Sequence, residues 1–288
     1  MVKLYLMSKK GYKVLDSLIN NGYTSTITAV VGASDLNVQN DYYEEIKTLC
    51  KEAGIQFFNR LDVIDKETKY SIAISWRWMI MDTELIVFHD SVLPKYRGFA
   101  PLVNMLINGE TKIGVTALFA AAEYDCGDII SQSFRTISYP IKIQEAIDLI
   151  AENYVELALG LMKSLTSNSI IVAHEQHENE ATYSLWRDEE DYAIDWTKSS
   201  GEIVRFIDAV GYPYKGATSS VNGTKIRIFD AVQEQDVVIE NRVPGKVIFM
   251  KEKTPVVVCG KGLIRLTEMK NEDNSKAYAS KNFRVRFC

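Results

Sequence analysis

The sequence predicts an α/β protein whose Rossmann-like, doubly wound and mostly parallel sheet is followed by a smaller β-rich, barrel-like C-terminal domain. The first observation behind this prediction is that short apolar runs of strand length alternate with segments of helical apolar spacing over the first half of the chain. The second is that, beyond about residue 185, helical patterns become sparse and short strands separated by turn residues take over. We therefore predict two domains, residues 1–185 and residues 186–288.

The first domain begins with the pattern strand, helix, strand. Residues 2–7 are apolar apart from Lys3, and residues 24–31 are rich in β-branched side chains. Between them, residues 14, 15, 18 and 19 place apolar side chains at helical spacing. Residues 41–54 predict a second helix that ends at Gly54. Further strands are predicted at residues 55–58, 70–76, 85–88, 113–120 and 129–138. Apolar residues at positions 143, 147, 150, 154, 157, 161 and 165 predict one long amphipathic helix over residues 141–165.

In the second domain, residues 202–210 predict the last helix, and short strands follow it. The predicted strands are residues 225–232, 247–250, 255–259 and 263–269. Turn residues bound them, at Asn222-Gly223, at Pro244-Gly245 and at glycines 260 and 262. Short strands joined by tight turns are typical of a small barrel, which is the architecture we expect for this domain.

Composition limits the classes of function. A chain of 288 residues, 47% hydrophobic and 25% charged, suits two globular domains. The four cysteines are widely separated, which predicts free thiols in a reducing compartment and no metal site. No apolar run reaches the ~18–20 residues of a membrane span, and the apolar stretch at the N-terminus is too short for a secretion signal. We expect a cytoplasmic protein without a membrane partner.

The net charge of −5 is unevenly distributed along the chain. Residues 201–288 contain 15 Lys and Arg against 10 Asp and Glu, so residues 1–200 contain 18 against 28. A basic C-terminal third can indicate a nucleic-acid surface. The early loop of residues 31–45, however, has four acidic residues and no basic one, and an acidic field repels a phosphate backbone. We therefore do not expect nucleic acid as a partner.

The sequence lacks the motifs of common nucleotide chemistry. Neither Gly-x-Gly-x-x-Gly nor a P-loop follows the first predicted strand, which argues against NAD-dependent hydride transfer and P-loop hydrolysis. Lys9 and Lys10 at that turn suit either a phosphate contact or an ordinary solvated turn. His174 and His177 lie in a polar stretch that we interpret as a surface loop rather than a metal pair.

His89 and Asp125 are the candidates for acid–base chemistry. His89 directly follows an apolar strand, and ligands of open parallel sheets bind beyond the carboxyl ends of strands. Asp125 lies in a turn after the apolar run 113–120. If the two strands are neighbours, their carboxyl ends place both side chains over one crevice, and a carboxylate beside an imidazole orients it for proton transfer. A structural histidine and a tight turn with Asx hydrogen bonds are the alternative interpretations.

The residues from His89 onward resemble a known family. Residues 89–98, with the pattern H-x-S-x-L-P-x-Y-R-G, are similar to the signature of the folate-dependent formyltransferases. Further family motifs follow in order, at residues 108–110, 114–116, 125–129, 181–183, 194–196, 244–247 and 259–262. The resemblance therefore covers nearly the whole chain, and it implies the formyltransferase fold.

This resemblance also implies a reaction, the transfer of a formyl group from N10-formyltetrahydrofolate to an amine without a metal. By similarity, His89 polarises the formyl oxygen and assists proton transfer, while Asp125 holds His89 or a water that relays the proton. The family usually has Asn two residues before the histidine, and here Val87 stands there without a donor. We expect Asn104, on the predicted helix after the signature, or a backbone N–H to replace it.

Folate recognition is expected from the loop before the signature and from the turn around Asp125. The implied folate contacts are Trp76, Arg77, Trp78, Ile80, Ala121, Glu123 and Asp128. Apolar walls and backbone groups suit a pterin ring. Two tryptophans so close in sequence are equally typical of core or interface packing, and Arg77 also suits a phosphate.

Within the family, the chain most resembles the sugar-nucleotide N-formyltransferases, because it has a His-Asp-Ser signature and a Trp-Arg-Trp loop. This implies an acceptor such as a dTDP-linked 4-amino-4,6-dideoxyhexose for O-antigen polysaccharide, and a homodimer. The expected substrate contacts are Lys9, Lys95, Tyr96, Arg97, Gly98 and Tyr183. Three alternatives remain: a methionyl-tRNA formyltransferase, a 10-formyltetrahydrofolate hydrolase, and a non-catalytic folate or sugar-nucleotide binder, the last suggested by Val87.

Overall fold

The computed structural model describes residues 1–36, 38–64, 68–82, 84–167, 169–273, 275 and 284–288, so Asn37 of the acidic early loop lies outside the described residues. The chain forms two compact units. One unit comprises Met1–Leu102, Thr111–Ile137 and Ala146–Leu185. The other comprises Val103–Glu110, Ser138–Glu145 and Trp186–Cys288, so two short earlier segments group with the C-terminal part of the chain.

A mixed sheet forms the centre of the first unit. The strands up to residue 185 are β1 (Val2–Leu6), β2 (Ile27–Gly32), β3 (Phe57–Asn59), β4 (Tyr70–Ile74), β5 (Leu85–His89), β6 (Arg97–Gly98), β7 (Lys112–Phe119), β8 (Ile129–Thr136) and β9 (Tyr183–Ser184). The helices of this part of the chain are α1 (Ser8–Asn20), α2 (Tyr43–Glu52), α3 (Pro101–Asn108) and α4 (Ile143–Thr166). Among the described residues, the strand order of the main sheet is β3-β2-β1-β4-β5-β7-β8.

The prediction of a mostly parallel sheet is confirmed. Strands β3, β2, β1, β4 and β5 are parallel, whereas β7 and β8 pair antiparallel at one edge. The chain leaves β1 toward β2 and β3, and then returns to the other side of β1 with β4 and β5. The carboxyl ends of β1 and β4 therefore form a topological switch point, which is where open α/β sheets bind ligands.

Helices cover one face of the parallel strands, and loops cover part of the other. Leu6, Ile74 and Phe88 are register partners on one face. Gly11 of α1 lies so close to Leu6 that a Cβ there would be 3.1 Å from the leucine Cβ, and Tyr154 of α4 stacks on Phe88. The connections β3–β4 and β4–β5 contain no helix in their described residues, since neither segment places apolar residues at helical spacing.

Helix α4 agrees with its predicted span to within two residues at each end. The apolar residues that predicted it are buried at Ile143, Ile147, Ile150, Tyr154, Leu157 and Leu161. Charged residues such as Glu145 and Lys163 alternate with this stripe, so the helix is amphipathic rather than uniformly apolar. Within the described part of the chain, no helix has both the length and the apolarity to cross a membrane.

The second unit is built on an antiparallel sheet. Its helix α5 (Ser200–Val210) starts at a capping box in which Ser199 and Glu202 satisfy each other's backbone N–H groups. Its strands are β10 (Ala217–Val221), β11 (Thr224–Glu234), β12 (Val247–Lys251), β13 (Thr254–Val258) and β14 (Leu263–Asn271). They are ordered β10-β11-β14-β13-β12 in the described residues, and β10 is a strand that the sequence pattern did not predict.

Residues 285–288 join the two edges of this sheet. Ser220 of β10 exchanges backbone hydrogen bonds of 2.9 and 3.0 Å with Cys288. On the other side, the Phe287 N–H donates to the Gly245 carbonyl at 2.8 Å, and the Val247 N–H donates to the Val285 carbonyl at 3.1 Å. The sheet is thereby closed into the barrel-like form that the sequence predicts.

We expect Phe287→Ala to destabilise the second unit. The Phe287 side chain is fully buried and its ring lies 5.6 Å from that of Trp196. Deleting a buried aromatic ring typically costs about 3–5 kcal/mol in the free energy of unfolding. Urea unfolding measures the loss, with the exposed neighbour Arg286→Ala as the control. A loss below about 1 kcal/mol would show that the ring does not hold the closure.

Candidate active site

Strained backbone clusters at the ends of the central strands. Ser8 follows β1 and Ser75 follows β4, and both have positive φ, at 62° and 55°. Their hydroxyls form a hydrogen bond of 3.0 Å across the switch point. Tyr96 and Asp125 have positive φ as well, at 60° and 55°. Residues with a Cβ rarely adopt this conformation, and when they do they concentrate at functional sites.

Buried polar side chains fix the segment that follows β5. The Ser91 hydroxyl donates to the Lys95 carbonyl at 2.7 Å, and the Thr116 hydroxyl donates to the Ser91 carbonyl at 2.7 Å. Thr116 also accepts from the Leu93 N–H at 3.1 Å. Ser91 and Thr116 have no exposed surface. These residues of the signature therefore set the path of the loop that begins at His89.

His89 and Asp125 meet in a buried pair. Their closest atoms are His89 Nδ1 and Asp125 Oδ1, at 3.3 Å, and the His89 side chain is 7% exposed. The other ring nitrogen, Nε2, lies 2.8 Å from the Tyr96 carbonyl oxygen. Asp125 Oδ2 accepts from the Gly98 N–H at 2.9 Å. We call His89 and Asp125 the dyad.

The two residues come together by a different route from the expected one. Strands β5 and β7 are neighbours, but they are antiparallel, with His89 opposite Thr116 and Ile86 opposite Phe119. The carboxyl ends of the two strands therefore lie at opposite ends, and the expectation of a shared carboxyl edge was wrong. The turn after β7 instead returns along three residue pairs, roughly 10 Å, to bring Asp125 to His89.

Hydrogen-bond chemistry assigns the ring protons of His89. A carbonyl oxygen can only accept, so Nε2 must carry a proton toward Tyr96. Nδ1 then faces the Asp125 carboxyl group and is the nitrogen that gains or loses a proton there. The arrangement can hold an imidazolium beside a carboxylate, or pass the proton between Nδ1 and Asp125. The pair can therefore act as a general acid and a general base.

Asp90 forms a second buried network that sequence reasoning missed. Lys10 Nζ lies 2.5 Å from Asp90 Oδ2, and the Tyr154 hydroxyl donates to Asp90 Oδ1. Burial opposes ionisation, but the Lys10 ammonium and the hydrogen bond from Tyr154 hold the pKa of Asp90 below its usual value. Burial, together with the Asp90 charge, raises the pKa of Tyr154. The sequence around Asp90 does not indicate that its partners are Lys10 on α1 and Tyr154 on α4.

The lowered pKa of Asp90 predicts a pH dependence of stability. A carboxyl group with a folded-state pKa below its unfolded value of about 3.9 stabilises the protein above that pH, and this contribution disappears as the pH falls through the folded-state pKa. We expect Asp90→Asn to lower the free energy of unfolding near neutral pH, and the difference from wild type to shrink as the pH falls below about 4. Urea unfolding across this range measures it. A difference independent of pH would contradict the assignment.

Lys9 and Lys10 are both bound by carboxylates at the start of α1. Lys9 Nζ lies 2.5 Å from Asp148 Oδ1, and Lys10 pairs with Asp90 as described. These carboxylates offset the positive charge that a phosphate at this turn would need. The geometry therefore does not support the substrate contact expected of Lys9.

Arg97 has a structural role in place of the expected substrate contact. Its side chain is 1% exposed. Nε and Nη2 donate to Gln176 Oε1, at 3.1 and 2.9 Å respectively. Nη1 donates to one Glu178 carboxylate oxygen at 3.0 Å, and Nη2 donates to the other at 2.7 Å. Nη1 also donates to the Tyr183 hydroxyl at 3.4 Å. All five guanidinium N–H groups are thus engaged, so none remains for a diphosphate. The bond to Arg97 lowers the pKa of Glu178.

Two of the remaining predicted substrate contacts, Tyr96 and Gly98, contact the dyad. Both bond to it through their backbone, as given above. Lys95 is exposed on the same loop, and Tyr183 is 66% exposed on β9, which pairs with β6. The exposed turn around Asp125 contains the expected folate contacts Ala121, Glu123 and Asp128.

Three of the other expected folate contacts line a cleft of about 300 Å3 in the first unit. Trp76 and Trp78 pack edge to face at 5.3 Å, Tyr5 packs on Trp76 at 5.1 Å, and the Arg60 guanidinium lies 4.3 Å from the Trp78 ring centre. Ile80 is also in the wall. The Trp76 Nε1 atom is buried and has no hydrogen-bond partner among the described residues, so it can donate to a ligand.

An ion pair lies at the base of this cleft. Lys3, 79 residues away in sequence, contacts Asp82 at 3.0 Å, and Asp82 also accepts from the Tyr5 hydroxyl at 3.0 Å and from Ser71 at 2.5 Å. Although burial opposes it, these bonds lower the pKa of Asp82. Arg77 lies apart from this wall, with its half-exposed guanidinium bound to Asp35. Of the described residues that line the cleft, the sequence singled out Trp76, Trp78 and Ile80, and not Lys3, Tyr5 or Asp82.

Val87 and Asn104 occupy different surroundings. Val87 shares its strand face with His89 and packs against the apolar cluster of Tyr5, Val31 and Ala73. Asn104 groups with the second unit, where its side-chain oxygen accepts from Arg187 Nη1 at 2.9 Å. That Asn104 or a backbone N–H supplies the missing oxyanion donor stays a prediction.

Family comparisons match both parts of the chain. Residues 79–153 match the family described as "Formyl transferase", and residues 187–286 match "Formyl transferase, C-terminal domain". Together these matches span more than half of the chain, and the first of them contains both members of the dyad.

The curated relatives include methionyl-tRNA formyltransferases. That of Fusobacterium nucleatum is 32% identical over 193 residues, which is 67% of this chain and 61% of the relative. That of Streptococcus sanguinis is 30% identical over 62% of this chain and 55% of the relative. The matched segments thus span little more than half the length of these relatives.

Solved structures with the same fold include folate complexes. An N-formyltransferase from Helicobacter canadensis, in complex with folinic acid and dTDP-3-aminofucose, has a TM-score of 0.70 at 16% identity, over 92% of this chain and 98% of that chain. HypX from Aquifex aeolicus, in complex with tetrahydrofolic acid, has a TM-score of 0.64 at 18% identity, over 94% of this chain and 44% of that chain. With its two matching domains, the chain belongs to the formyl transferase family.

Proposed function

We propose that this protein transfers a formyl group from N10-formyltetrahydrofolate to the amine of a nucleotide-linked amino-deoxysugar, in the cytoplasm, for surface polysaccharide. The observation that carries the proposal is the dyad. One nitrogen of His89 is anchored by the Tyr96 carbonyl, and the other faces a carboxylate that is itself fixed by a backbone N–H. Formyl transfer needs such a pair, because the attacking amine must lose a proton while the formyl oxygen gains negative charge.

The chain's own groups divide the work as follows. His89, when protonated at Nδ1, donates toward the formyl oxygen and stabilises the charge that develops there. Asp125, whose Oδ1 lies 3.3 Å from His89 Nδ1, accepts the proton that leaves the amine, directly or through one water. The proton on Nε2 stays with Tyr96 throughout, so the ring does not rotate. The proton held by the dyad then returns to the folate nitrogen as the carbon–nitrogen bond breaks.

The aromatic cleft supports a folate site. A pterin ring has apolar faces and polar edges, and the cleft offers ring walls from Tyr5 and the two tryptophans together with the unpartnered Trp76 N–H. The exposed turn of residues 120–124, next to Asp125, supplies further backbone groups. We propose that Trp76, Trp78 and Ile80 contact the folate.

Methionyl-tRNA is the second candidate acceptor, because the curated relatives given above carry that name. Charge argues against it. The early acidic loop exposes Glu44 and Glu45, and in the second unit carboxylates bind several of the cations that made the C-terminal third basic. These pairs are Lys225 and Arg227 with Glu189, Arg242 with Asp236, and Lys251 and Arg265 with Glu234. Paired cations offer a phosphate backbone little counterion release.

The experiment offers N10-formyltetrahydrofolate with a panel of dTDP- and UDP-aminosugars and with methionyl-tRNA, and measures tetrahydrofolate formed with and without acceptor. We expect turnover that requires an aminosugar nucleotide. Turnover that requires the tRNA would replace the acceptor, and turnover without acceptor would make the protein a hydrolase. Folate binding without any turnover would make it a binder. Sedimentation of the same sample tests the expected homodimer.

A further inference from the structure

Gln176 connects the buried Arg97 to the turn that holds Asp125. Its Nε2 donates to the Asp125 carbonyl at 2.7 Å and to the Gly127 carbonyl at 2.8 Å. Its Oε1 accepts two hydrogen bonds from Arg97, at 3.1 and 2.9 Å. Every polar atom of this amide is therefore used, on a segment about 50 residues from the dyad aspartate in sequence.

Arg97 determines which way the amide faces. A guanidinium has only donors, so the oxygen of Gln176 must face Arg97 and the amide NH2 must face the turn. Glu178 binds the outer edge of the same guanidinium in a bidentate pair, which holds Arg97 in place. The orientation of Gln176 thus follows from the protein's own charges.

Asp125, which Gln176 holds, has a backbone conformation that requires stabilisation by its surroundings. Asp125 has a φ of 55°, a conformation that a residue with a Cβ rarely adopts. On the far side of the turn, a Cβ on Gly127 would lie 1.9 Å from the Phe119 carbonyl oxygen, so the turn is packed directly against β7. The Asp125 backbone is held between this contact and the Gln176 amide.

We propose that Gln176 is a positioning residue for the reaction, because it holds the backbone of Asp125 in the left-handed conformation that aims the carboxylate at His89 Nδ1. The proposal rests on the proposed function only for its kinetic readout. Arg97 acts one step further away, by fixing the orientation of Gln176.

Two substitutions of Gln176 test this role. Gln176→Glu places a carboxylate oxygen against two carbonyl oxygens, and Gln176→Met keeps the length of the side chain without its hydrogen bonds. We expect kcat to fall about 10- to 100-fold in both, with KM changed less than threefold, because a shift of about 1 Å in a catalytic group costs this much. The control is Glu175→Gln, an exposed neighbour on the same segment, for which we expect wild-type kcat.

A second readout does not require activity. The chain has three histidines, so the imidazole Cε1 proton of His89 can be assigned in the NMR spectrum with the variant His89→Asn. We expect both Gln176 variants to move the chemical shift of this resonance toward that of Asp125→Asn, and Glu175→Gln to leave it in place. Circular dichroism identifies any variant that fails to fold, and the test of the positioning role then rests on the Gln176 variant that folds.

The outcomes are distinct for the two proposals. If the His89 resonance shifts as expected but no preparation forms tetrahydrofolate, the positioning role stands and the proposed function fails. If a folded Gln176 variant keeps the wild-type chemical shift of the His89 resonance, or turns over at the wild-type rate, the positioning role is wrong, whatever the substrate.

Discussion

Replacing His89 with asparagine is expected to lower the rate of formyl transfer by about 10²–10⁴-fold, the range that a positioned acid–base group typically contributes. Asparagine can still form hydrogen bonds, but it does not titrate and is too short to reach both the Tyr96 carbonyl and Asp125. The formyl oxygen then loses its charged donor, and the Asp125 carboxylate that accepts the amine proton loses the imidazolium beside it. Steady-state formation of tetrahydrofolate measures the loss, which should appear in kcat.

A matched control separates chemistry from folding in this test. His177→Asn changes a histidine on an exposed segment outside the dyad, and it should keep the wild-type rate. Circular dichroism and urea unfolding of His89→Asn check that the buried site is intact. A folded variant with more than about a tenth of wild-type kcat would mean that His89 does not carry the reaction.

Asp125→Asn is expected to have a comparable effect, again about 10²–10⁴-fold, for a different reason. The asparagine oxygen can keep the bond from the Gly98 N–H, and its NH2 can then donate to an unprotonated His89 Nδ1. The site stays well bonded, but the imidazole is fixed in its neutral form and the acceptor for the amine proton is gone. We therefore expect kcat to fall while KM for the folate changes little.

Unfolding experiments and a pH profile check the Asp125 prediction. The free energy of unfolding of Asp125→Asn should stay within about 1 kcal/mol of wild type, because no buried group loses its partner. The dependence of kcat on pH should differ between the variant and wild type, because asparagine cannot accept a proton. An unchanged kcat would show that Asp125 only stabilises a tight turn through its side-chain hydrogen bonds, which is the alternative interpretation of this residue.

The sequence predicted the dyad but not the way it is assembled. The resemblance to the formyltransferase motifs implied the pairing of His89 and Asp125, whereas the expectation of a shared carboxyl edge was wrong. The antiparallel direction of β7 could not, because an apolar run has the same appearance in either direction. The return of the turn to His89 is a property of pairing between strands, which no local pattern specifies.

Arg97 and Lys9 illustrate why the partners of charged residues are difficult to predict from sequence. A basic residue beside a signature gives the same local signal whether its partner is a phosphate or a carboxylate of the protein. The partners of Arg97 lie about 80 residues later, and that of Lys9 lies 139 residues later. Arg97 cannot contact a substrate because its side chain is buried, and this burial depends on the pairing of β6 with β9.

The fold was predicted best where periodicity was strong, and worst where it was weak. Helix α4 offered seven apolar positions and was placed to within two residues. Strand β10 has the sequence ATSSV, in which Thr218 and Ser219 are buried although the strand has no clear alternating apolar pattern. Lys3 and Asp82 of the cleft gave no signal, since an ion pair between distant residues exists only after folding.

Transfer of a labelled formyl group tests the central claim most directly. N10-formyltetrahydrofolate carrying carbon-13 in the formyl group is mixed with stoichiometric protein and the aminosugar nucleotide that gave turnover, and the label is followed by NMR. We expect the label in an amide on the sugar nitrogen, formed by wild type and about a hundredfold or more slower by His89→Asn. Label released as formate, or amide formed equally fast by the two proteins, would contradict formyl transfer by the dyad.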